Sequence, residues 1–210
     1  MLDHIVAQFK ESSRITAAMA VDTQLQNTLL AAAQACVRCL QNGGKLMLAG
    51  NGGSAADAQH IAGELVSRFA FDRPGLSAVA LTTDTSILTA IGNDYGYERL
   101  FQRQVQANGK PGDIFIGYST SGKSPNILRA FEQARADQIL TIGLTGNRGG
   151  PMADLCDFLL EVPSADTPKI QEGHLVLGHT LCGLIEIEIF AGEHGPEALK
   201  PLAGTLFNQA

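Results

Sequence analysis

His60 and Glu64, four residues apart, are the first side chains whose types and spacing suggest chemistry. The segment around them is predicted to be helical, so both side chains share one face, about 40° apart. An imidazole and a carboxylate in that arrangement suit a zinc ion or general acid–base catalysis. Taken alone, the pair is more often an ordinary contact at a helix surface.

A second group of polar side chains interrupts an apolar stretch late in the chain, and its members are Gln171, Glu172, His174 and His179. His174 and His179 are five residues apart, about 140° around a helix, so both cannot face one site. Glu172 and His179 are seven residues apart and do share a face. Spacing leaves open which of the four side chains turns towards His60 and Glu64.

Two loops rich in glycine and hydroxyl side chains are typical of anion-binding sites. They are residues 50–54 (GNGGS) and residues 119–124 (STSGKS), and each lies between a predicted strand and a predicted helix. Glycines permit a tight turn with exposed N–H groups, hydroxyls add donors, and the helix dipole favours an anion. The hydroxyl-rich loop therefore predicts a phosphate monoester as its ligand, although a plain strand-to-helix turn also needs Gly and Ser.

The second loop also completes a nucleotide-binding motif, because residues 117–124 (GYSTSGKS) match G-x-x-x-x-G-K-[ST]. Three features argue against a nucleotidase. The loop follows the third predicted strand, Pro125 comes directly after it, and no later strand ends in a suitably placed acid. A third polar segment, residues 92–96 (GNDYG), is predicted to be a turn that is either structural or faces sugar hydroxyls.

Five short apolar runs must position these loops, and they lie at 45–50, 78–81, 113–118, 139–144 and 158–162. All but the last are followed by a polar loop and then a helical stretch. Strands that alternate with helices and are apolar along most of their length predict a parallel sheet covered on both faces. The predicted fold is α/β, a three-layer sandwich with a five-stranded parallel sheet, and ligands are expected beyond the carboxyl ends of the strands.

Helices are predicted on either side of the strand region. Residues 22–42 have capping residues, a glycine stop signal and an apolar stripe, and residues 3–20 form a weaker helix before them. Cys36 and Cys39 fall on that stripe, so their C-x-x-C spacing is interpreted as core packing. Residues 171–190 form a helix that is apolar nearly all round, which predicts burial in a core or a subunit interface, with its glycines permitting close packing.

The composition of the chain excludes several classes of protein. The 210 residues favour one domain, and 45% apolar with 17% charged residues exclude a disordered chain. No apolar run reaches about 18 residues without a polar break, and the opening residues do not form a signal peptide, so we expect a cytoplasmic protein with no membrane association. A net charge of −6 without a Lys/Arg cluster predicts no nucleic-acid partner.

Five motifs in a fixed order resemble the bacterial phosphoheptose isomerases, a family of the sugar isomerase (SIS) fold. The motifs are GNGGSAADAQHIAGEL at 50–65, AIGNDYG at 90–96, GYSTSGKSPNIL at 117–128, LTGNRGG at 144–150 and the segment from Gln171 to His179. The resemblance extends over nearly all of residues 20–190. Five ordered motifs are far more specific than any one of them.

The resemblance implies conversion of sedoheptulose 7-phosphate to D-glycero-D-manno-heptose 7-phosphate, the first step towards ADP-heptose for the lipopolysaccharide core. It also implies a cytoplasmic homotetramer with active sites between subunits. On this basis the chain is divided into a helical oligomerisation arm at 1–44, an SIS phosphosugar-binding domain at 45–190 and a C-terminal tail at 191–210.

The resemblance further implies roles for individual residues. One zinc ion per subunit is expected on His60, Glu64, Gln171 and His179, which selects Gln171 over Glu172. The expected phosphate-binding residues are Ser119, Thr120, Ser121 and Ser124. The expected sugar contacts are Asn51, Gly52, Gly53, Asn93 and Asp94, together with Glu64 and Gln171. No role carries over to Lys123.

Isomerisation moves a proton from one carbon to its neighbour through an enediol, so a base must reach both carbons. Glu64 is the predicted catalytic base, and His179 or bound zinc is predicted to stabilise the developing oxyanion. A loosely held carboxylate that exchanges between metal and substrate would reconcile the two roles of Glu64.

A non-catalytic SIS protein that binds the replication initiator, of the DnaA initiator-associating type, is the alternative. Such proteins resemble the chain in the same loops but lack the full metal and acid–base set, which this sequence has, so the isomerase is preferred. SIS transcription regulators and two-copy glucosamine-type isomerases are disfavoured, because the sequence offers neither a basic DNA-binding domain nor a second sheet.

Overall fold

A five-stranded parallel sheet forms the centre of the computed structural model, which describes residues 1–147 and 149–194. The strand order is β2-β1-β3-β4-β5, and every neighbouring pair is parallel. The strands are β1 (Leu46–Ala49), β2 (Ala78–Ala80), β3 (Ile114–Tyr118), β4 (Leu140–Gly146) and β5 (Phe158–Val162). Each coincides closely with a predicted apolar run, and the predicted α/β fold is confirmed.

Helices cover both faces of this sheet and complete the three layers. They are α1 (Leu2–Met19), α2 (Thr23–Gln41), α3 (Gly53–Val66), α4 (Thr85–Tyr95), α5 (Leu100–Asn108), α6 (Pro125–Ala136) and α7 (Thr167–His194). One core lies between the sheet and α1, α2, α3 and α7. The other lies between the sheet and α4, α5 and α6. Because the sheet is covered on both faces, β1 and β3 are buried along their whole length.

The predicted helix at 22–42 is confirmed as α2. Its start is capped by Asp22, whose carboxylate accepts a hydrogen bond from the Leu25 N–H at 3.0 Å. Cys36 and Cys39 are buried free thiols on its apolar face, as the core-packing interpretation requires. Burial raises the pKa of the Cys36 thiol far above its usual range, so that thiol stays protonated and unreactive.

The turn predicted at residues 92–96 is wrong. Asp84 caps the start of α4 by accepting from the Ile87 N–H, and the helix continues through Asn93 and Asp94 to Tyr95. It ends at Gly96, whose φ of +84° is in the left-handed region that favours glycine. The polar residues of the motif therefore form the last turn of a helix.

The last helix, α7, extends further than predicted, from Thr167 to His194. Residues 191–194 of the expected tail continue it, and residues 195–210 lie outside the described residues. Within the single chain α7 is not buried on every side, because a stripe that includes Glu172, Val176 and Thr180 is exposed; burial of that stripe at a subunit interface stays a prediction. By length and composition the Thr167–Phe190 segment is apolar enough to span a membrane, but 56% of the relevant window is buried inside the domain, as in a core helix.

Candidate active site

Two helices that start at the carboxyl end of the sheet, α3 and α7, lie side by side and carry the predicted acid–base residues. Gly178 is the point of closest approach: a Cβ there would come within 2.6 Å of the Ile61 Cδ1 atom. An added methyl group would force the helices to move or the core to repack, which confirms the predicted close helix packing at Gly178. Gly173 and Gly183 pack instead against Val162 of β5 and Phe69 of the loop after α3. His60 precedes Ile61 and His179 follows Gly178, so the contact between Ile61 and Gly178 brings the two histidines together.

His60, Glu64 and His179 converge at this crossing. The Nε2 atoms of His60 and His179 are 2.7 Å apart, and His60 Nε2 is 3.4 Å from Glu64 Oε1. The ligand atoms of all three side chains lie within 4.8 Å of one another. Two imidazole nitrogens and a carboxylate oxygen are donors that zinc prefers. In this geometry the three side chains can share a metal ion or relay a proton.

Two other candidate site residues of α7, Glu172 and Gln171, point in different directions. Glu172 turns towards α1, where it accepts hydrogen bonds from Lys169 Nζ at 2.8 Å and Ser12 Oγ at 2.6 Å. The contact with Lys169, and then that with Ser12, lowers the pKa of Glu172. Gln171 turns the other way and packs against Gly53, where a Cβ would meet its amide nitrogen at 2.6 Å. The amide thus lies at the start of α3, about two turns before His60.

His174 is fully buried and lies apart from the His60–Glu64–His179 cluster. Its ring packs edge-on against Tyr118, with ring centres 5.8 Å apart. Within the described residues, neither ring nitrogen makes a hydrogen bond of good geometry, although the Thr145 backbone is near enough to oppose slightly the effect of burial on the pKa of the ring. Burial lowers the pKa of His174 to about 4, so the ring is neutral at pH 7. As spacing predicted, His174 and His179 face different surroundings.

A cavity of about 150 Å³ lies beyond the ends of β3, β4 and β5. It is lined by Thr120, Ser121, Lys123, Gly146, Asn147, Ser164, Ala165, Thr167 and Ile170. Ser119 and Ser124 do not line it. Their hydroxyls lie 2.9 Å apart in one hydrogen bond at the base of the loop. The loop turns at Gly122, where φ is +64° and a Cβ would collide with the Gly149 carbonyl oxygen.

The predicted sugar contacts are partly engaged within the protein. The Asn51 amide exchanges two hydrogen bonds with Asn126, at 2.9 and 2.8 Å, and its oxygen also accepts one from Tyr97 at 2.8 Å. Asn93 donates to Asp94 at 2.8 Å, and both side chains are exposed at the end of α4. Gly52 and Gly53 are exposed, with Gly52 at a φ of +57°.

The sequence did not predict several polar side chains that lie near the His60–Glu64–His179 cluster or line the cavity. Asp57 lies one turn before His60 on α3, and its Oδ2 atom is buried without a partner in the described chain. Burial raises the pKa of Asp57 to about 6, and His60 acts in the opposite direction. A spacing of three from His60 was the available signal. Lys123, Asn147 and Ser164 join the cavity wall only through the fold, since they belong to three different loops.

The fold and this site define an SIS-domain protein: residues 8–146 match the SIS domain family. The chain is 69% identical over 189 residues to a phosphoheptose isomerase of Burkholderia pseudomallei, which covers 90% of this chain and 96% of that protein. Among solved structures, a phosphoheptose isomerase of Francisella tularensis superposes with a TM-score of 0.84 at 41% identity, covering 88% and 97% of the two chains. That of Neisseria gonorrhoeae gives 0.80 at 43%, covering 88% and 98%.

This similarity extends over most of this chain and nearly the whole length of each relative. The chain belongs to the phosphoheptose isomerase family.

Proposed function

We propose that the protein is an aldose–ketose isomerase that converts sedoheptulose 7-phosphate to D-glycero-D-manno-heptose 7-phosphate through an enediol. The observation that carries the proposal is the convergence of His60, Glu64 and His179 in a chain of this family. The reaction is the first step towards ADP-heptose for the lipopolysaccharide core, and it takes place in the cytoplasm.

The phosphate of the substrate binds in the cavity between the loops. Thr120 and Ser121 supply hydroxyl donors there, Lys123 supplies a positive charge, and the N-terminus of α6 adds its dipole. Ser119 and Ser124 are proposed as further phosphate contacts; their hydroxyls bond to each other outside the cavity wall and would have to turn towards the phosphate. Several hydrogen-bond donors and one positive charge match a phosphate monoester, which has several oxygen atoms that accept hydrogen bonds.

The sugar extends from this cavity along α7. Ile170 lines the cavity, and His179 follows nine residues later, roughly 13 Å along the helix axis. A long sugar phosphate is therefore needed to hold its phosphate in the cavity and its carbonyl end at the His60–Glu64–His179 cluster. Gly52, Gly53 and Gln171 contact the sugar near the start of α3. Asn51, Asn93 and Asp94 are proposed as further contacts.

The donor set at the cluster fits zinc, with one ion per subunit held by His60, Glu64 and His179. Two nitrogens and one oxygen within 4.8 Å of one another support this assignment. Gln171 is proposed as the fourth ligand, and its amide, which packs against Gly53, would have to turn towards the cluster to bind the ion. When bound, the ion stabilises negative charge on the substrate oxygens.

Glu64 and His179 transfer the protons. In the step that transfers protons, Glu64 and a protonated His179 would be released from the ion: Glu64 removes a proton from C1 while His179 donates one to the C2 carbonyl oxygen, which gives the enediol. Glu64 then returns its proton to C2, and the O1 hydroxyl gives its proton to His179, which gives the aldose. Atoms and charges balance over the cycle, and Glu64 reaches both carbons because they are adjacent.

Assembly as a homotetramer is supported by exposed apolar side chains on α1. Leu2, Ile5, Val6 and Phe9 are 74%, 49%, 43% and 72% exposed, and their spacing places them on one helix face. On the other side of the chain, α4 has no buried residue. Residues 1–44 are thus proposed as an oligomerisation arm, with active sites formed between subunits. Neither nucleic acid nor membrane is a proposed partner.

The proposal is tested by incubating the purified protein with sedoheptulose 7-phosphate in D2O and following the products by NMR. An enediol route predicts turnover that is lost on chelation and restored by zinc, with deuterium at C2 of the aldose to the extent that the proton held by Glu64 exchanges with solvent. Deuterium at C2 would exclude a direct hydride shift, and wild-type turnover by Glu64→Gln would contradict the enediol route through Glu64. A folded, zinc-supplied protein without turnover would instead favour the initiator-binding alternative, which a binding assay with the replication initiator then examines.

A further inference from the structure

The loop between α3 and β2, residues 67–77, is anchored by a buried ion pair that the site described above does not use. Arg73 and Glu186 meet through Nε and Oε1 at 2.9 Å, and their side chains are 0% and 1% exposed. Burying two charges is costly unless every donor and acceptor is satisfied. Each side-chain nitrogen and oxygen atom of this pair has at least one hydrogen-bond partner.

Glu186 accepts three hydrogen bonds from the loop. Besides Arg73, the backbone N–H groups of Phe69 and Ala70 donate to its two oxygens, at 2.9 and 2.7 Å. Glu186 lies on α7, seven residues after His179, so both side chains project from the same face two turns apart. The loop is therefore attached to the helix that carries His179.

Arg73 attaches the same loop to the helix that carries Glu64. Its guanidinium donates to the carbonyl oxygens of Glu64 at 2.9 Å and Leu65 at 2.6 Å, and more weakly to that of Ser67 at 3.3 Å. The last carbonyls of a helix have no partner within the helix and carry partial negative charge. A buried cation at this position thus fixes the end of α3, including the backbone of Glu64 itself.

The loop also holds an aromatic ring against the site. The Phe69 and His179 ring centres are 5.6 Å apart, and Gly183 leaves room for the Phe69 ring on α7. Because the Phe69 N–H is bound to Glu186, the ring position depends on the ion pair.

We propose that Arg73 and Glu186 are positioning residues that set the relative placement of Glu64 and His179, with Phe69 as a wall against the His179 ring. The proposal rests on the function proposed above for Glu64 and His179. It assigns the ion pair a role in activity and metal binding beyond holding a loop.

The test compares two charge-neutralising variants of the full-length protein. Glu186→Gln breaks this ion pair, and Asp113→Asn breaks the pair between Lys45 and Asp113. Asp113 is likewise 0% exposed, but its pair lies at the opposite, amino end of β1 and β3. The readouts are kcat, KM, zinc affinity by competition titration, and the His60–His179 distance in crystals of the metal-free proteins.

Both variants lose stability. Glu186→Gln leaves the buried Arg73 guanidinium without its partner, and Asp113→Asn replaces a buried carboxylate that pairs with Lys45 and accepts from the Lys45 and Lys110 N–H groups. Glu186→Gln is expected to lower kcat and zinc affinity on the order of 10–100-fold with KM little changed, as for residues that orient metal ligands. Its His60–His179 distance shifts from 2.7 Å by about 1 Å. Asp113→Asn leaves all four readouts at their wild-type values. Equal effects in the two variants, or a Glu186→Gln variant that is only less stable, would overturn the proposal.

Phe69→Leu serves if Glu186→Gln does not fold, because this residue is 36% exposed and its loss leaves the ion pair intact. It is expected to lower zinc affinity and to move the His179 ring, and wild-type values for both would overturn the role of Phe69.

Arg73→Lys keeps the charge but loses the planar contact with the Glu64 and Leu65 carbonyls, and wild-type values of the same two readouts in this variant would overturn the role of the ion pair. The crystal readout needs neither metal nor turnover. A wild type without isomerase activity would therefore end the proposed function while the positioning test still gives an answer.

Discussion

Gly178→Ala is the substitution for which the structure gives the sharpest expectation. The new methyl group would lie 2.6 Å from Ile61 Cδ1 and 2.8 Å from Ile61 Cγ1, well inside contact distance. Ile61 is fully buried, so α3 and α7 must separate or the core must repack. Such overpacking costs about 1–3 kcal/mol, and the better helix propensity of alanine offsets about 1 kcal/mol of it. The expected net loss in unfolding free energy is roughly 0–2 kcal/mol.

Activity should fall much further than stability. His60 and His179 are the immediate neighbours of the two residues in contact, so any separation of the helices is transferred to them. A displacement of about 1 Å at reacting groups costs on the order of 100-fold in rate. We expect kcat for heptose phosphate isomerisation to fall by that order.

The matched control is Gly192→Ala on the same helix, where a Cβ would meet nothing within 4 Å. It should be as stable as the wild type or more so, and fully active. Urea denaturation and steady-state kinetics of both variants are the assays. A Gly178→Ala variant that is stabilised and fully active would refute the claim that this crossing sets the spacing of the histidines.

Three further predictions concern other parts of the molecule. Ser121→Ala removes one phosphate donor and should raise KM on the order of tenfold with kcat nearly unchanged; an unchanged KM would exclude the residue from the phosphate site. His174 has a pKa of about 4 when folded against about 6.5 when unfolded, so it takes up protons on unfolding below pH 6.5. The free energy of unfolding should therefore fall by about 2 kcal/mol between pH 7 and pH 5. In urea denaturation, His174→Leu should abolish this loss, and a loss that persists in the variant would show that other groups cause it. Phe9→Asp places a charge on the exposed α1 face and should give smaller assemblies in sedimentation; an unchanged sedimentation coefficient would argue against that face as an interface.

The sequence predicted the sheet well because its strands are short apolar runs bounded by turn residues. The end of α4 was missed for a local reason. Asn93 and Asp94 are common in turns, but the stop signal that operates is the left-handed Gly96 just beyond them. A helix end is thus predicted too early when polar residues precede the glycine that ends it.

Parts of the site depend on contacts that local patterns do not contain. Arg73 and Glu186 are 113 residues apart, and neither has a sequence neighbour that suggests an ion pair. Spacing likewise could not decide whether Gln171 or Glu172 faces the site, because Glu172 turns away to bind Ser12 of α1, a contact between distant parts of the chain. The pairing of His60 with Glu64, in contrast, was predictable from the sequence because the two residues are one helical turn apart.

The most direct test of the central claim is the turnover of sedoheptulose 7-phosphate by Glu64→Gln beside Glu172→Gln. Both changes neutralise a carboxylate, but Glu172 is bound to Lys169 and Ser12, away from the cluster. Loss of a general base predicts a fall in kcat on the order of 10²–10⁴ for Glu64→Gln, in a folded protein, with Glu172→Gln active. Wild-type turnover by Glu64→Gln would contradict the account.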